Sequence, residues 1–263
     1  MLLRNVFTKT VRDGRRALSA WALGTAAVAA MYASFYPQLA GGAMTDVLAT
    51  FPQALRDAFR LDDISSAAGY LQSTTFGLLV PLLITMYGIA TGTRALAGDE
   101  EAGHLDVLIT HPVSRTRLLV HRFAALATGA TVIAGVVFAV MLAIRSGARL
   151  DTVLIGGFAG QCLNAALLAM TFGALAIALG AAGAGRGLVL GVSAGIGVLA
   201  YAANTFGAQL GVGWARDLSP FHHYLGGEPL RNGVQWVDAG ILAAMTAVLL
   251  AVGVWSFNRR DLT

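Results

Sequence analysis

Lysine is almost missing from this sequence: Lys9 is the only one among 18 basic residues. A Walker-type phosphate loop, Gly-x-x-x-x-Gly-Lys-Ser/Thr, needs a lysine behind its glycines, and none precede Lys9, so no nucleotide site of that kind is expected. Cysteine is equally scarce. The single Cys162 lies in an apolar stretch and excludes an intramolecular disulfide. Charge is the third shortage, with 12% Asp, Glu, Lys and Arg against 56% hydrophobic residues and a mean hydropathy of +0.68. Soluble domains carry about twice that charge, so a water-soluble fold is excluded.

What the chain has instead is long uncharged runs. A bilayer core of about 30 Å takes roughly 20 apolar helical residues, and a charge at its centre costs about 2.5–3.5 kcal/mol. Gaps between charges therefore measure candidate spans. There are 29 uncharged positions between Arg16 and Asp46, 30 between Asp63 and Arg94, 22 between Arg122 and Arg145, 34 between Asp151 and Arg186, 29 between Arg186 and Arg216, and 20 between Asp238 and Arg259. These predict an all-α membrane protein, a single domain over residues 1–263, with six spans near 17–36, 71–93, 121–144, 153–181, 187–208 and 237–257. An even number of spans puts both termini on one side. That side receives 12 of the 18 basic residues, which predicts cytoplasmic termini. A cleaved secretory signal is the rival reading of the first span, but such signals have apolar regions of about 7–15 residues. The run here is closer to a full span. Seventeen Arg to one Lys, with heavy Ala and Gly use, suggests a bacterial plasma membrane.

Before the first span, Leu3, Phe7 and Val11 fall on one helical face among basic residues, which predicts an interfacial amphipathic helix over 1–16. Between spans one and two lies a long external segment from Pro37 to Tyr70. A second external excursion, 216–235, is broken by Pro220, Pro229 and Asn232-Gly233, yet it is apolar enough to dip into the membrane where protein shields its backbone. The adjacent His222 and His223 are expected at the outer interface with Phe221 and Tyr224. Gly183-x-Gly185-x-Gly187 follows an apolar helix rather than a strand, so it reads as a tight turn. Trp236 and Trp255 bracket the last span as an aromatic belt would. Glycines four apart, such as Gly88 and Gly92, or Gly187, Gly191 and Gly195, allow close helix approach.

The informative loop runs from Leu96 to Leu119. Asp99 is a good N-cap, Glu100 and Glu101 occupy the first turn where the helix dipole favours acids, and Leu105, Leu108 and Ile109 form an apolar face. Pro112 ends that helix, and Ser114 is placed to cap the next one. This predicts a short amphipathic helix held between spans two and three.

Here the sequence resembles the permease subunits of type 2 ATP-binding-cassette exporters. They carry an acidic-Gly-x-Leu-x-x-Leu-Leu-x-x-Pro-x-Ser-Arg stretch in the same loop. Glu101, Gly103, Leu105, Leu108, Pro112, Ser114 and Arg115 match it, while His104 replaces a usual Thr and Arg122 stands where Lys is common. Leu218-Ser219-Pro220-Phe221 and Phe257-Asn258-Arg259-Arg260-Asp261-Leu262 add to the match. The resemblance implies that Glu100, Glu101, Gly103, His104, Leu105, Leu108, Pro112, Ser114 and Arg115 couple the chain to an ATPase. It further implies two copies of a separate ATPase subunit, which bind the ATP and Mg, and a second permease, either a copy of this chain or a paralogue. No cofactor or nucleic acid is implied for the permease itself. In that family spans two and five line the central cavity, which assigns Phe76, Met86, Tyr201 and Asn204 to a substrate path. The apolar, aromatic-bearing spans suit a hydrophobic or amphipathic substrate such as a drug, antibiotic or lipid.

Three other readings compete. An intramembrane metalloprotease would use a Glu-Glu-x-x-x-Arg motif, but Leu105 occupies the Arg position and both acids lie outside the apolar runs. An ion-coupled secondary transporter expects ionisable residues within spans; Asp238, near the outer end of span six, is the nearest case. A membrane scaffold without transport is the third. Gln161 and Asn164, polar within span four, read as interhelical hydrogen-bonding groups.

Overall fold

A computed structural model of the protein describes residues 3–39, 50–53, 55–56, 63–98, 114–207, 209 and 211–259. Among the described residues all regular structure is helical. In chain order the elements are α1 (Leu3–Ser34), α2 (Tyr36–Leu39), α3 (Ala67–Ser73), a π-helical turn (Thr75–Leu79), α4 (Val80–Thr93), a second π turn (Arg94–Gly98) and α5 (Arg115–Ile144). They are followed by α6 (Ile155–Ala181), α7 (Arg186–Phe206), the short α8 (Gly213–Asp217), α9 (Pro220–Leu225) and α10 (Pro229–Asn232), and α11 (Trp236–Arg259).

Among the described residues, six stretches are long and apolar enough to cross a bilayer: Thr10–Gln38, Ala67–Gly98, Arg115–Ile144, Ile155–Ala181, Arg186–Phe206 and Trp236–Arg259. The second is a composite of α3, both π turns and α4. The expected separate helix over 1–16 does not occur as such, because α1 runs without a break from Leu3 to Ser34. Nothing in Asp13-Gly14-Arg15-Arg16 interrupts the i→i+4 ladder, and at 1.5 Å per residue the 32-residue helix is about 48 Å long, well beyond a 30 Å core. Span two starts four residues earlier than the charge ruler places it, because Ser66 caps α3 by accepting the Gly69 amide at 3.0 Å. Span three starts at Arg115, capped by Ser114 as expected.

α6 is the central post. It packs on α4, α11 and α5, and both its faces are buried. Glycine makes the α4 side of that packing possible: a Cβ on Gly92 would stand 2.5 Å from the Gly173 carbonyl oxygen, and one on Gly88 would overlap the Ala169 carbonyl. α1 lies against α5. α7 is peripheral, burying only Val189, Ser193 and Gly197, while a Cβ on Gly187, Gly191 or Gly195 would meet nothing within 4 Å. The turn joining α6 to α7 contains Gly183 at φ 95°, a conformation glycine adopts without strain, as its sequence suggested. Trp236 and Trp255 are both exposed, 19 residues or about 28 Å apart along α11.

Candidate functional site

At the end of the bundle that carries the termini, the helix expected between spans two and three falls outside the described residues, and with it Glu100, Glu101, Gly103, His104, Leu105, Leu108 and Pro112. Its flanks are described. Ser114 Oγ accepts the Arg117 amide at 3.4 Å. Arg115 Nη1 donates to the Phe257 carbonyl at 3.1 Å, and its guanidinium lies 5.8 Å from the centre of the Phe257 ring. Asn258 Nδ2 donates to Thr116 Oγ1 at 3.1 Å. The last carbonyls of a helix lack intrahelical donors and sit at the negative end of its dipole, so an arginine is a fitting partner for the end of α11. On the other flank, Arg122 of α5 donates to the Ala95 carbonyl in the second π turn. Both ends of the loop 99–113 are thereby tied to the bundle by side chains of α5.

Midway along the bundle, the chain's own covalent chemistry breaks span two. Pro81 has no N–H, so the carbonyl four residues before it, that of Gly77, loses its α-helical donor. The helix widens into the π turn Thr75–Leu79 just there. Tyr201 of α7 supplies the missing donor, its hydroxyl lying 3.2 Å from the Gly77 oxygen. The same ring meets Phe221 of α9 edge-on at 5.3 Å, and Phe221 in turn stacks on Phe172 of α6 at 5.6 Å.

Of the expected substrate-path residues, Tyr201 and Asn204 are partly exposed on α7 and Met86 is exposed on α4, whereas Phe76 is wholly buried inside this chain's own core. Sequence reasoning passed over Gly77 and Pro81, and it named Phe221 without linking it to Tyr201. A proline in mid-span was the visible signal for the first two.

At the far end, α9 and α10 pack into the bundle, whereas α8 buries none of its residues. Phe221, His223 and Tyr224 are buried against the spans, and His222 is half-buried beside them. The physical reason is a set of side-chain amides that satisfy the C-terminal carbonyls of α9. Gln72 Nε2 donates to Leu225 O at 3.1 Å, Asn164 Nδ2 to His223 O at 3.3 Å and Tyr224 O at 3.4 Å, and Gln161 Nε2 to Tyr224 O at 3.5 Å. At the other end of α9, Ser219 Oγ accepts the Phe221 amide at 3.2 Å and donates to Ala200 O of α7 at 2.7 Å. Backbone carbonyls buried among apolar helices need protein groups in place of water, and these side chains supply them. An ion pair between Arg231 and Asp63 ties α10 to the segment that leads into span two.

These features, the flanks of 99–113 fastened at the termini end, a second span broken beside the fifth, and a broken segment at the opposite end packed against span four, describe a membrane protein whose polar machinery lies between helices. Comparison with known proteins places it. A family model described as ABC-2 family transporter protein matches residues 4–262. No curated protein matches the chain.

Proposed function

The chain belongs to the ABC-2 family of transporter proteins and is a transmembrane component of such a transporter; from that premise we propose that it is the permease of an exporter driven by a separate ATPase subunit. Two ATPase copies would serve a pair of permeases in a bacterial plasma membrane, with both termini on the cytoplasmic side. The substrate is hydrophobic or amphipathic, such as a drug, an antibiotic or a lipid, in keeping with the apolar spans. Glu100 and Glu101 start the helix that meets the ATPase. Gly103, His104, Leu105 and Leu108 form its body, Pro112 ends it, and Ser114 and Arg115 join it to α5. Motion of the ATPase then reaches the bundle through the two flanks that Arg115 and Arg122 fasten. Tyr201, Asn204, Met86 and Phe76 belong to the path between spans two and five.

The observation that carries this reading is the family match over nearly the whole chain. Its test is purification of the chain from its native membrane in mild detergent. An ATPase subunit is expected to co-purify and to supply all ATP hydrolysis. Gly103→Pro, which costs a helix interior about 3 kcal/mol or more, and Glu101→Arg should each abolish co-purification or substrate-stimulated hydrolysis while insertion stays normal. ATP hydrolysis by the chain freed of every other polypeptide refutes the division of labour. Unchanged transport in both variants refutes the coupling role.

A further inference from the structure

Two neighbouring histidines at the end of the bundle opposite the termini meet different partners: His222 Nδ1 faces a donor, whereas both ring nitrogens of His223 face acceptors. Arg216 Nε donates to His222 Nδ1 at 3.2 Å. A guanidinium has no lone pair to offer, so this ring nitrogen is the acceptor and His222 is neutral, with its proton on Nε2, 3.8 Å from Asp217 Oδ1. Burial first, then the neighbouring Arg216 and His223, lower its proton affinity, opposed by Asp217 and Asp238.

His223 faces acceptors on both sides. Nε2 lies 3.0 Å from the Asp217 carbonyl oxygen and Nδ1 2.9 Å from Asp238 Oδ1. A carbonyl never donates, so Nε2 must carry a hydrogen. The contact with the carboxyl then needs a second proton, held on Nδ1 as imidazolium or on Asp238 itself. A neutral ring beside an ionised Asp238 would set one lone pair against another. The titratable or charged groups around the pair are Arg216 and Asp217 of α8, His222 and Tyr224 of α9, and Asp238 of α11. Cys162 of α6 and Tyr201 of α7 stand behind Tyr224.

We propose that His223 and Asp238 together form a proton-binding site, and that the bound proton clasps the broken external segment to the sixth span. The anchors that hold α9 to spans two, four and five do not titrate: amides from Gln72, Gln161 and Asn164 hold its carboxyl end, and Ser219 holds its start to Ala200, while the titratable contacts of His222 run only to the adjoining α8. Loss of the proton leaves α9 fixed to α3, α6 and α7 but releases it from the first turn of α11. His223 is thus a positioning residue, and the link it makes is present at low pH and lost as pH at that face rises. The inference stands on side-chain geometry alone and holds whatever the chain transports.

The test uses the full chain in lipid nanodiscs, with hydrogen exchange of the 219–226 amides followed from about pH 5 to pH 9 and corrected for intrinsic rates. Wild-type protection should fall by about tenfold or more as pH rises, the scale of one hydrogen bond to a charged group. Asp238→Asn and His223→Gln should each remove the step, while His222→Gln should keep it. Asp238→Asn conserves volume and an acceptor oxygen for Nδ1, so it carries the test if His223→Gln does not fold. A flat wild-type profile, a step that survives in either pair variant, or a step lost in His222→Gln overturns the proposal.

Discussion

The bond from Tyr201 to Gly77 is open to a quantitative test because the reason for it is covalent. Tyr201→Phe removes one oxygen and leaves the ring to pack as before against Phe221. Interhelical side-chain bonds in membrane proteins average only about 0.6 kcal/mol, since a deprived group usually finds another partner. Here the normal partner, the amide of residue 81, does not exist, and Gly77 is buried. The loss therefore moves toward the cost of an unsatisfied buried carbonyl, about 1–3 kcal/mol. Pro81→Ala restores an N–H four residues on, and in that background Tyr201→Phe should cost a few tenths of a kcal/mol. The double-mutant cycle should thus show a coupling of about 1 kcal/mol or more between residues 120 positions apart in sequence. Unfolding free energies of the four proteins in bilayers, by steric trapping, give that number directly. Additivity within about 0.3 kcal/mol refutes the idea that Pro81 created the site Tyr201 fills.

Two further outcomes follow from the packing and the topology. Gly92→Ala should destabilise by about 1–3 kcal/mol, because its Cβ meets the Gly173 carbonyl, whereas Gly191→Ala, with open space around it, should leave the isolated chain unchanged or gain up to about 1 kcal/mol; thermal midpoints in detergent separate the two. In a Cys162→Ser background, Thr152→Cys should be labelled by an impermeant thiol reagent added to intact cells and Ala182→Cys should not, since these exposed positions lie at opposite ends of α6; the reverse pattern would invert the proposed orientation.

Much of the fold was legible because a bilayer charges heavily for ions, so gaps between charges mark helices directly. Span ends were less so: Ser66 starts α3 inside what reads as loop, and α1 continues through residues that look like a flank. Gln161 and Asn164 were recognisable as hydrogen-bonding groups, but their acceptors were not, because every residue has a backbone carbonyl and composition does not mark which ones a turn leaves free. The same holds for His223. Pairing with Asp238 depends on how α9 turns inward, and that depends on amides supplied by two other spans.

Those amides also set an order of events during synthesis. Gln161 and Asn164 enter with the fourth span, but the carbonyls they serve lie 63 and 59 residues later, and Gln72 waits for one 153 residues on. At about 5–20 residues per second, the fourth span's amides spend roughly 3–12 s without their final partners. During that interval they must be held by the insertion machinery, by water or by one another, so the central post reaches its final hydrogen bonding only after most of the chain has been made. A chain truncated before Tyr224 would be inserted but never completed, and it would present two amides in an apolar setting as a mark for quality control.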